Sequence, residues 1–253
     1  MLTIDLNSDM GESFGVYTLG CDADAMPYVT SANIACGFHA SDPSNMVKTV
    51  RLAKKHGVAI GAHPSFPDLV GFGRRAMAAS PEEIKADVMY QIGALWAICQ
   101  AEGVKMQHVK AHGALYNVAE KDPAVAAAIA EAVKAVDPSL YVVCLANSPM
   151  VAAAQKVGAR YVEEAFADRA YTSQGTLVPR KQAGSVIHDV QAVADRVLSM
   201  VKNKCVTSID GTVIPISAQT ICVHGDTPGA VEMIKTIRAR LAAENITVKA
   251  FGA

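Results

Sequence analysis

The sequence predicts an α/β protein whose parallel strands form a closed or nearly closed (β/α) barrel. Two patterns favour this fold class: short β-rich runs alternate with helical segments along the whole chain, and polar residues follow the runs at their carboxyl ends. Such alternation is typical of a parallel sheet with right-handed crossovers. Seven or eight units suffice to close a barrel. A doubly wound open sheet has the same periodicity and is the alternative.

The strands are predicted from enrichment in β-branched and aromatic residues between turn signals. They cover residues 2–8, 31–37, 58–62, 106–111, 140–145, 160–165 and 219–223, and an eighth run follows at 246–251.

The helices are predicted to begin with a recurring local chemistry, an N-cap residue directly before a proline. The cap oxygen accepts a hydrogen bond from a free backbone N–H, and proline lacks only a donor that has no partner there. These pairs are Asp42-Pro43, Ser80-Pro81, Asp122-Pro123, Ser148-Pro149 and Thr227-Pro228. Gly57, Gly103 and Gly158 are expected to end helices, because glycine readily adopts the left-handed conformation.

Residues 1–253 are expected to form a single (β/α) barrel domain, because no linker or change in composition interrupts the alternation. This length is common for an α/β barrel of one domain. One insertion is predicted near residues 205–217, where Asp210-Gly211 between two β-rich runs is typical of a hairpin turn.

The composition argues against several classes of protein. Apolar residues make up 51% of the chain and charged residues 19%, which is ample for a core. A net charge of −1 with scattered basic residues gives no reason to expect nucleic acid or an anionic membrane as partner. No apolar window reaches the ~18 residues of a membrane span, and the N-terminus does not resemble a signal peptide. The six cysteines form no CxxC pair and indicate a cytoplasmic protein with reduced thiols.

The chain also lacks the signatures of several common enzyme sites. It contains no GxxxxGK[ST], no GxGxxG after a strand, no GxSxG and no HExxH. A Walker-type nucleotide site is therefore excluded, and a dinucleotide enzyme or a serine hydrolase is not expected.

Polar side chains share one face of several predicted strands, while the opposite face is bulky and apolar. The residues on the polar face are Asp5, Asn7 and Asp9, then Asn33 and His39, then His63, then His108, Lys110 and His112. In a barrel the bulky face packs on the helices and the polar face lines the lumen. Further polar residues at strand ends are Glu12, Asn147, Asp168, Arg169, His224 and Asp226. Because the carboxyl ends of barrel strands carry the site, a pocket is predicted there.

Two loops add positive charge to the predicted mouth of the barrel. Arg74 and Arg75 follow the third strand, and Arg169, Arg180 and Lys181 follow the sixth. Since arginine can bind carboxylate or phosphate with two parallel hydrogen bonds, an anionic substrate is expected.

Two kinds of chemistry remain open for this pocket. Asp9, His39, His63 and His112 could bind a divalent ion such as zinc. The same residues could work without a metal, with a carboxylate or histidine base activating water beside a cationic clamp.

Six stretches resemble the LamB/YcsF family in its expected order: IDLNSDMGESFG, SANIACGFHASDP, GAHPSFPDLVGFGRR, VKAHGALYN, EAFADRAY and CVHGDTPGAV. The resemblance covers residues 4 to about 231. It implies a seven-stranded (β/α) barrel of the glycoside hydrolase/deacetylase type. It also implies ATP-dependent opening of the lactam 5-oxo-L-proline to L-glutamate, with ATP and its Mg²⁺ as co-substrate and the 5-oxoprolinase subunits B and C as partners.

A mechanism consistent with the residues and with the resemblance makes Asp9, His63, Lys110 and His112 catalytic. Asp9, with His63, would take a proton from water, while Lys110 and His112 would stabilise charge on the lactam or phosphoryl oxygens. The residues expected to bind substrate are Asn7, Glu12, Asn33, His39, Arg74, Arg75, Arg169 and His224.

Two other functions are compatible with the same residues. One is a metal-dependent deacetylase acting on an N-acyl group or a sugar, which the Asp and His set would serve. The other is a non-catalytic subunit that captures substrate for a partner, which the lack of a nucleotide motif allows.

Overall fold

The computed structural model describes residues 2–224 and 229–252. Within them, seven parallel strands close into a barrel, because the last strand of the ring pairs with both its sixth member and the first strand. These strands are β1 (Thr3–Met10), β2 (Ser31–Ala35), β3 (Ala59–His63), β4 (Met106–Val109), β5 (Tyr141–Leu145), β6 (Arg160–Phe166) and β9 (Thr220–Cys222). The closed ring confirms the seven-stranded barrel and excludes the open sheet.

Two further pairings lie outside the ring. β7 (Cys205–Thr207) and β8 (Val213–Pro215) form an antiparallel hairpin. The run at 246–251 contributes only β10 (Thr247–Val248), which pairs with Thr3 and Ile4 of β1. The eighth run therefore forms a short strand that pairs with β1 and is not one of the seven strands of the barrel.

Eight α-helices surround the barrel within the described residues. They are α1 (Asp22–Ala25), α2 (Pro43–His56), α3 (Pro81–Ala101), α4 (Gly113–Ala119), α5 (Pro123–Val136), α6 (Pro149–Val157), α7 (Val190–Lys202) and α8 (Ala230–Ala243). No helix in the described ranges is long and apolar enough to cross a membrane.

Most of the predicted caps have the expected chemistry. Asp42 and Asp122 accept hydrogen bonds from the first backbone N–H groups of α2 and α5, and Ser80 forms a reciprocal capping box with Glu83. Ser148 differs, because no cap bond from its side chain is present among the described residues. The expected cap at Thr227-Pro228 and the polar residue Asp226 lie outside the described residues.

The strands bury apolar side chains towards the helices and polar side chains towards the lumen. The apolar set includes Leu6, Ile34, Ile60 and Val109, and the polar set includes Asp5, Asn7, Asn33, His108, Lys110, Glu164 and Thr220, all at most 2% exposed. Buried polar groups are costly without partners, so the lumen must satisfy them internally. That requirement produces the network from which the site is built.

Candidate active site

The floor of the lumen is a hydrogen-bond network around Asp5 and Asn7. Asn7 Nδ2 donates to Glu164 Oε1 at 2.9 Å and to Thr220 Oγ1 at 2.6 Å. The Asp5 carboxylate accepts from hydroxyl groups, among them Ser31 Oγ at 2.7 Å. Burial, partly offset by these hydrogen bonds, raises the pKa of Asp5 to about 6. Asp5 and Asn7 thus fix the positions of neighbouring lumen side chains by hydrogen bonds. Both are buried deeper in the barrel than Asp9.

Lys110 is the central cation of the lumen and is 2% exposed. Its Nζ lies 2.8 Å from Glu164 Oε1, 3.3 Å from Asp9 Oδ1 and 3.1 Å from Cys222 Sγ. Burial opposes its charge, but Asp9, Cys222 and Glu164 outweigh that effect and raise the pKa of Lys110 well above its ordinary value. Lys110 is therefore a fixed positive charge between two carboxylates.

Asp9 lies at the boundary between the lumen and the mouth, with 15% of its side chain exposed. Its Oδ1 accepts a hydrogen bond from Asn33 Nδ2 at 2.9 Å and lies 3.3 Å from both Lys110 Nζ and His63 Nε2. Burial opposes ionisation, but His63 and Lys110 outweigh it and hold the pKa of Asp9 well below its ordinary value. Asp9 is thus an ionised, oriented carboxylate at the edge of the open site.

His63 and His112 are held by backbone carbonyls at their outer nitrogens. His63 Nδ1 donates to the Lys110 carbonyl at 2.6 Å, and His112 Nε2 donates to the Phe72 carbonyl at 2.9 Å. The inner nitrogens, His63 Nε2 and His112 Nδ1, face each other at 3.0 Å, so they must share a proton in the absence of another group. Burial and the nearby His63 lower the pKa of His112 to about 3.

His39 and Glu12 join this pair in a four-residue cluster. The His39 ring stacks on His112 with centroids 3.8 Å apart and planes at 6°. Burial and the neighbouring His112 lower the pKa of His39 well below its ordinary value, so its ring is neutral. Glu12 Oε1 lies 3.8 Å from His39 Nε2 and 4.0 Å from His112 Nδ1.

The same cluster is the set of residues that could hold a metal ion. One ligand atom from each of Glu12, His39, His63 and His112 lies within 4.8 Å of the others. The sequence placed Asp9 in this set with the three histidines, and the structure puts Glu12 there in its place. Asp9 Oδ1 lies 3.3 Å from His63 Nε2, and Asp9 also groups with Cys222 and His224 in a second set of possible ligands.

The loop after β3 must approach the histidines closely, and glycine permits it. Gly73 has φ of +63°, and a Cβ there would lie 2.8 Å from His39 Cβ and 2.9 Å from His112 Cδ2. Its carbonyl accepts the Ala114 N–H at the start of α4 at 2.8 Å. Only a residue without a side chain fits, so Gly73 fixes the position of the Phe72 carbonyl that orients His112.

On the other side of the mouth, His224 links an acid to a base. Its Nδ1 donates to the Asp168 carboxylate at 2.8 and 2.9 Å, and its Nε2 accepts from an Arg180 NH₂ group at 2.7 Å. Burial opposes ionisation of Asp168, but His224 outweighs it and keeps the pKa of the carboxyl below its ordinary value. Arg180 is exposed.

The three arginines predicted to bind substrate have different environments. Arg74 lies over the Phe72 ring, 5.2 Å from its centroid, and contributes positive potential at His39 and His112.

Arg75 and Arg169 are engaged elsewhere. Arg75 forms a salt bridge with Asp68 in the same loop, which uses its Nε and one NH₂ group. Arg169 is buried and donates to the carbonyls of Ser185 and Val178, which ties the loop after β6 together. Neither guanidinium is brought to Asp9 by contacts among the described residues.

Sequence reasoning left four residues of this site outside its predicted set: Cys222, Glu164, Asp168 and Arg180. For Glu164 the sequence offers a signal, because Glu164 alternates with the apolar residues Val162 and Phe166 along one predicted strand. Asp168 lies at a strand end and Arg180 in a loop, and each contacts His224, which is 56 residues from Asp168 and 44 residues from Arg180. Nothing in a local pattern reveals such a link.

Comparison with known proteins places this architecture among named relatives. The A subunit of a 5-oxoprolinase from Clostridium beijerinckii is 54% identical over 98% of this chain and 97% of its own length. The corresponding protein from Pyrococcus furiosus is 53% identical over 99% of this chain and 98% of its own. The crystal structure of a lactam utilization protein from Thermus thermophilus matches with a TM-score of 0.95 at 50% identity, covering 99% of this chain and 100% of that one.

A more distant structure shows only the fold. A putative cellobiose-phosphate cleavage protein from Enterococcus faecalis superposes with a TM-score of 0.55 at 14% identity over 98% of this chain and 96% of that one. The LamB/YcsF family model, in contrast, matches residues 4–253. The chain belongs to the LamB/YcsF family.

Proposed function

We propose that this chain is the A component of an ATP-dependent 5-oxoprolinase and carries the groups that open the lactam of 5-oxo-L-proline to L-glutamate. The observation that carries the proposal is the Asp9–Lys110 pair, an ionised carboxylate 3.3 Å from a buried cation at the mouth of a closed barrel. Support also comes from the relatives at 53% and 54% identity, both named as this component of 5-oxoprolinase. Subunits B and C are the partners, and the free thiols of all six cysteines favour the cytoplasm.

The proposed reaction uses one ATP, supplied with Mg²⁺, and two waters. Phosphoryl transfer to the lactam oxygen makes the ring carbon electrophilic, and water then adds to that carbon. The ring C–N bond breaks with a proton passing to nitrogen, and a second water releases phosphate. Asp9 orients the attacking water and accepts its proton, while Lys110 stabilises negative charge on the oxygen.

Substrate binding is proposed to depend on cations at the rim. Since Arg75 is paired with Asp68, the substrate carboxylate is assigned to Arg180, with Arg74 on the phosphoryl side. A carboxylate that draws Arg180 away would also free Nε2 of His224. His224 can then exchange a proton at the site with Asp168 holding its ring.

The test is reconstitution of the full chain with subunits B and C, followed by oxoproline-dependent ATP hydrolysis and glutamate formation. Asp9→Asn should reduce turnover by about 10²-fold or more. Asp24→Asn, at an exposed position on α1, is the matched control and should be unchanged. Arg180→Ala should raise KM for oxoproline more than it lowers kcat, because it removes binding and not the reacting groups.

Each result has a counterpart that contradicts the proposal. If the wild-type complex forms no glutamate in the presence of ATP, the proposed function is wrong. Hydrolysis of N-acyl substrates by the chain alone would then favour the metal-dependent deacetylase. Wild-type turnover in both Asp9→Asn and Lys110→Met would leave the chain with a substrate-capture role only.

A further inference from the structure

We propose that Glu12, His39, His63 and His112 form a binding site for one divalent transition-metal ion of the zinc class, next to Asp9 at the barrel mouth. Three imidazoles and one carboxylate are a donor set that such ions prefer, whereas Mg²⁺ prefers oxygen ligands. The cluster is thus chemically different from a binding site for the Mg²⁺ that accompanies ATP. The proposal of a metal site is argued from the geometry of these four residues and does not depend on the proposed reaction.

The orientation of His63 and His112 is the first argument. Each ring donates its outer N–H to a backbone carbonyl, the arrangement that fixes the tautomer of metal-binding histidines. Their inner nitrogens then point at each other 3.0 Å apart. An ion that accepts both lone pairs would replace the shared proton.

The spacing of the ligand atoms is the second argument. Tetrahedral coordination at zinc's distances separates neighbouring ligand atoms by about 3.3 Å. Two separations lie on either side of this value: 3.0 Å between His63 Nε2 and His112 Nδ1, and 4.0 Å between His112 Nδ1 and Glu12 Oε1. Movements below about 1 Å would bring these atoms into coordination.

The third argument is the state of His39. Among the residues that the structure describes, neither of its ring nitrogens has a hydrogen-bond partner, although the residue is only 1% exposed. A buried polar group without a partner is costly, and a metal ion would satisfy it.

The stacking of His39 on His112 limits which of the four side chains can bind one ion together. An imidazole binds a metal in the plane of its ring, and two parallel rings 3.8 Å apart cannot both point at one ion. Glu12, His63 and His112 are therefore the three ligands whose present placement allows one ion. His39, whose ring no hydrogen bond restrains among the described residues, turns to become the fourth ligand.

An ion at this position would supply Lewis acidity next to Asp9. Asp9 Oδ1 lies 3.3 Å from His63 Nε2, so a water bound to the ion would lie next to an ionised carboxylate. Metal coordination would bring the acidity of that water closer to neutral. The ligands this site would take are carbonyl or phosphoryl oxygens.

The test measures metal content and not activity. The untagged full-length chain is stripped with a chelator, equilibrated separately with Zn²⁺, Co²⁺ and Mg²⁺, and analysed by mass spectrometry. We expect about one Zn²⁺ or Co²⁺ per chain, no stoichiometric Mg²⁺, and a visible Co²⁺ spectrum of low coordination number. A wild-type chain that retains neither Zn²⁺ nor Co²⁺ overturns the site, whether or not it retains Mg²⁺.

Variants decide which cluster holds the ion. His63→Ala and Glu12→Gln should abolish stoichiometric binding, and His39→Ala should weaken it by about 10- to 100-fold. His188→Ala, in an exposed loop, is the control and should be unchanged. Retention in Glu12→Gln with loss in Cys222→Ser would assign the ion to Asp9, Cys222 and His224 and refute the proposal. Circular dichroism shows whether each variant is folded.

Discussion

The buried salt bridge between Lys110 and Glu164 should show strong energetic coupling in a double-mutant cycle. At 2.8 Å the two charges attract by roughly 6 kcal/mol for an effective dielectric constant near 20. Desolvation offsets much of this attraction, but removal of one partner leaves the other buried without its counter-ion. Lys110→Met should therefore lower the free energy of unfolding by about 3–5 kcal/mol at pH 8.

The double variant should lose less than the sum of the single variants. Glu164→Gln alone should cost less than Lys110→Met, about 1–3 kcal/mol, because Asp9 still faces the ammonium. Combining both changes removes one charge of each sign and keeps the net charge of the lumen. We expect a coupling of about 2–3 kcal/mol in urea unfolding followed by circular dichroism.

A matched control pair lies on the surface. Lys85 Nζ and Glu131 Oε2 are also 2.8 Å apart, but their side chains are 38% and 47% exposed. The cycle of Lys85→Met with Glu131→Gln should give a coupling below about 1 kcal/mol, because water screens exposed charges. If the buried pair couples no more strongly than the surface pair, the electrostatic account of the lumen is wrong.

Three further predictions concern stability. Glu120 is buried, its Oε1 has no hydrogen-bond partner within the described ranges, and burial raises its pKa from 4.5 to about 7. Because the folded-state pKa is raised, the fold disfavours the charged form, so Glu120→Gln should stabilise by up to about 3 kcal/mol above pH 7 and by nothing below pH 4.5 in chemical denaturation. An equal gain at both pH values would contradict this assignment. Ser80→Ala should cost about 1 kcal/mol through loss of its capping box, whereas Ser148→Ala, whose hydroxyl makes no cap bond in the described structure, should cost nothing measurable. Similar costs would refute the capping argument. Gly61→Ala should lower the melting temperature and destabilise by about 1–3 kcal/mol, because the new Cβ would lie 2.1 Å from His108. An unchanged melting temperature would show that the lumen can rearrange.

Much of the barrel was predictable because its determinants are local. Strand alternation, the proline after Asp42 or Ser80, and the glycines that end α2 and α6 each act within a few residues. The alternation of residues in β1 also predicted its polar face. Because β1 pairs with β9 and closes the ring, that face lines the lumen.

The roles of individual charges depended on distant partners. The sequence predicted Arg75 and Arg169 as substrate cations, but Asp68 pairs with the first and the carbonyls of the loop after β6 hold the second. An arginine can bind a substrate anion or hold a loop together. Its residue type and its position in the sequence do not show which of these roles it has. Only the fold shows which guanidinium is already engaged.

By itself the sequence determined the alternation of strands and helices, most of the helix caps and the polar face of each strand. These properties follow from side-chain periodicity and from hydrogen bonds between near neighbours. Only the tertiary structure decided that Glu164, 157 residues from Asn7, completes the lumen, and that Glu12 lies with the three histidines. The physical reason is that barrel closure brings together side chains from distant strands, and burial favours polar contacts between them.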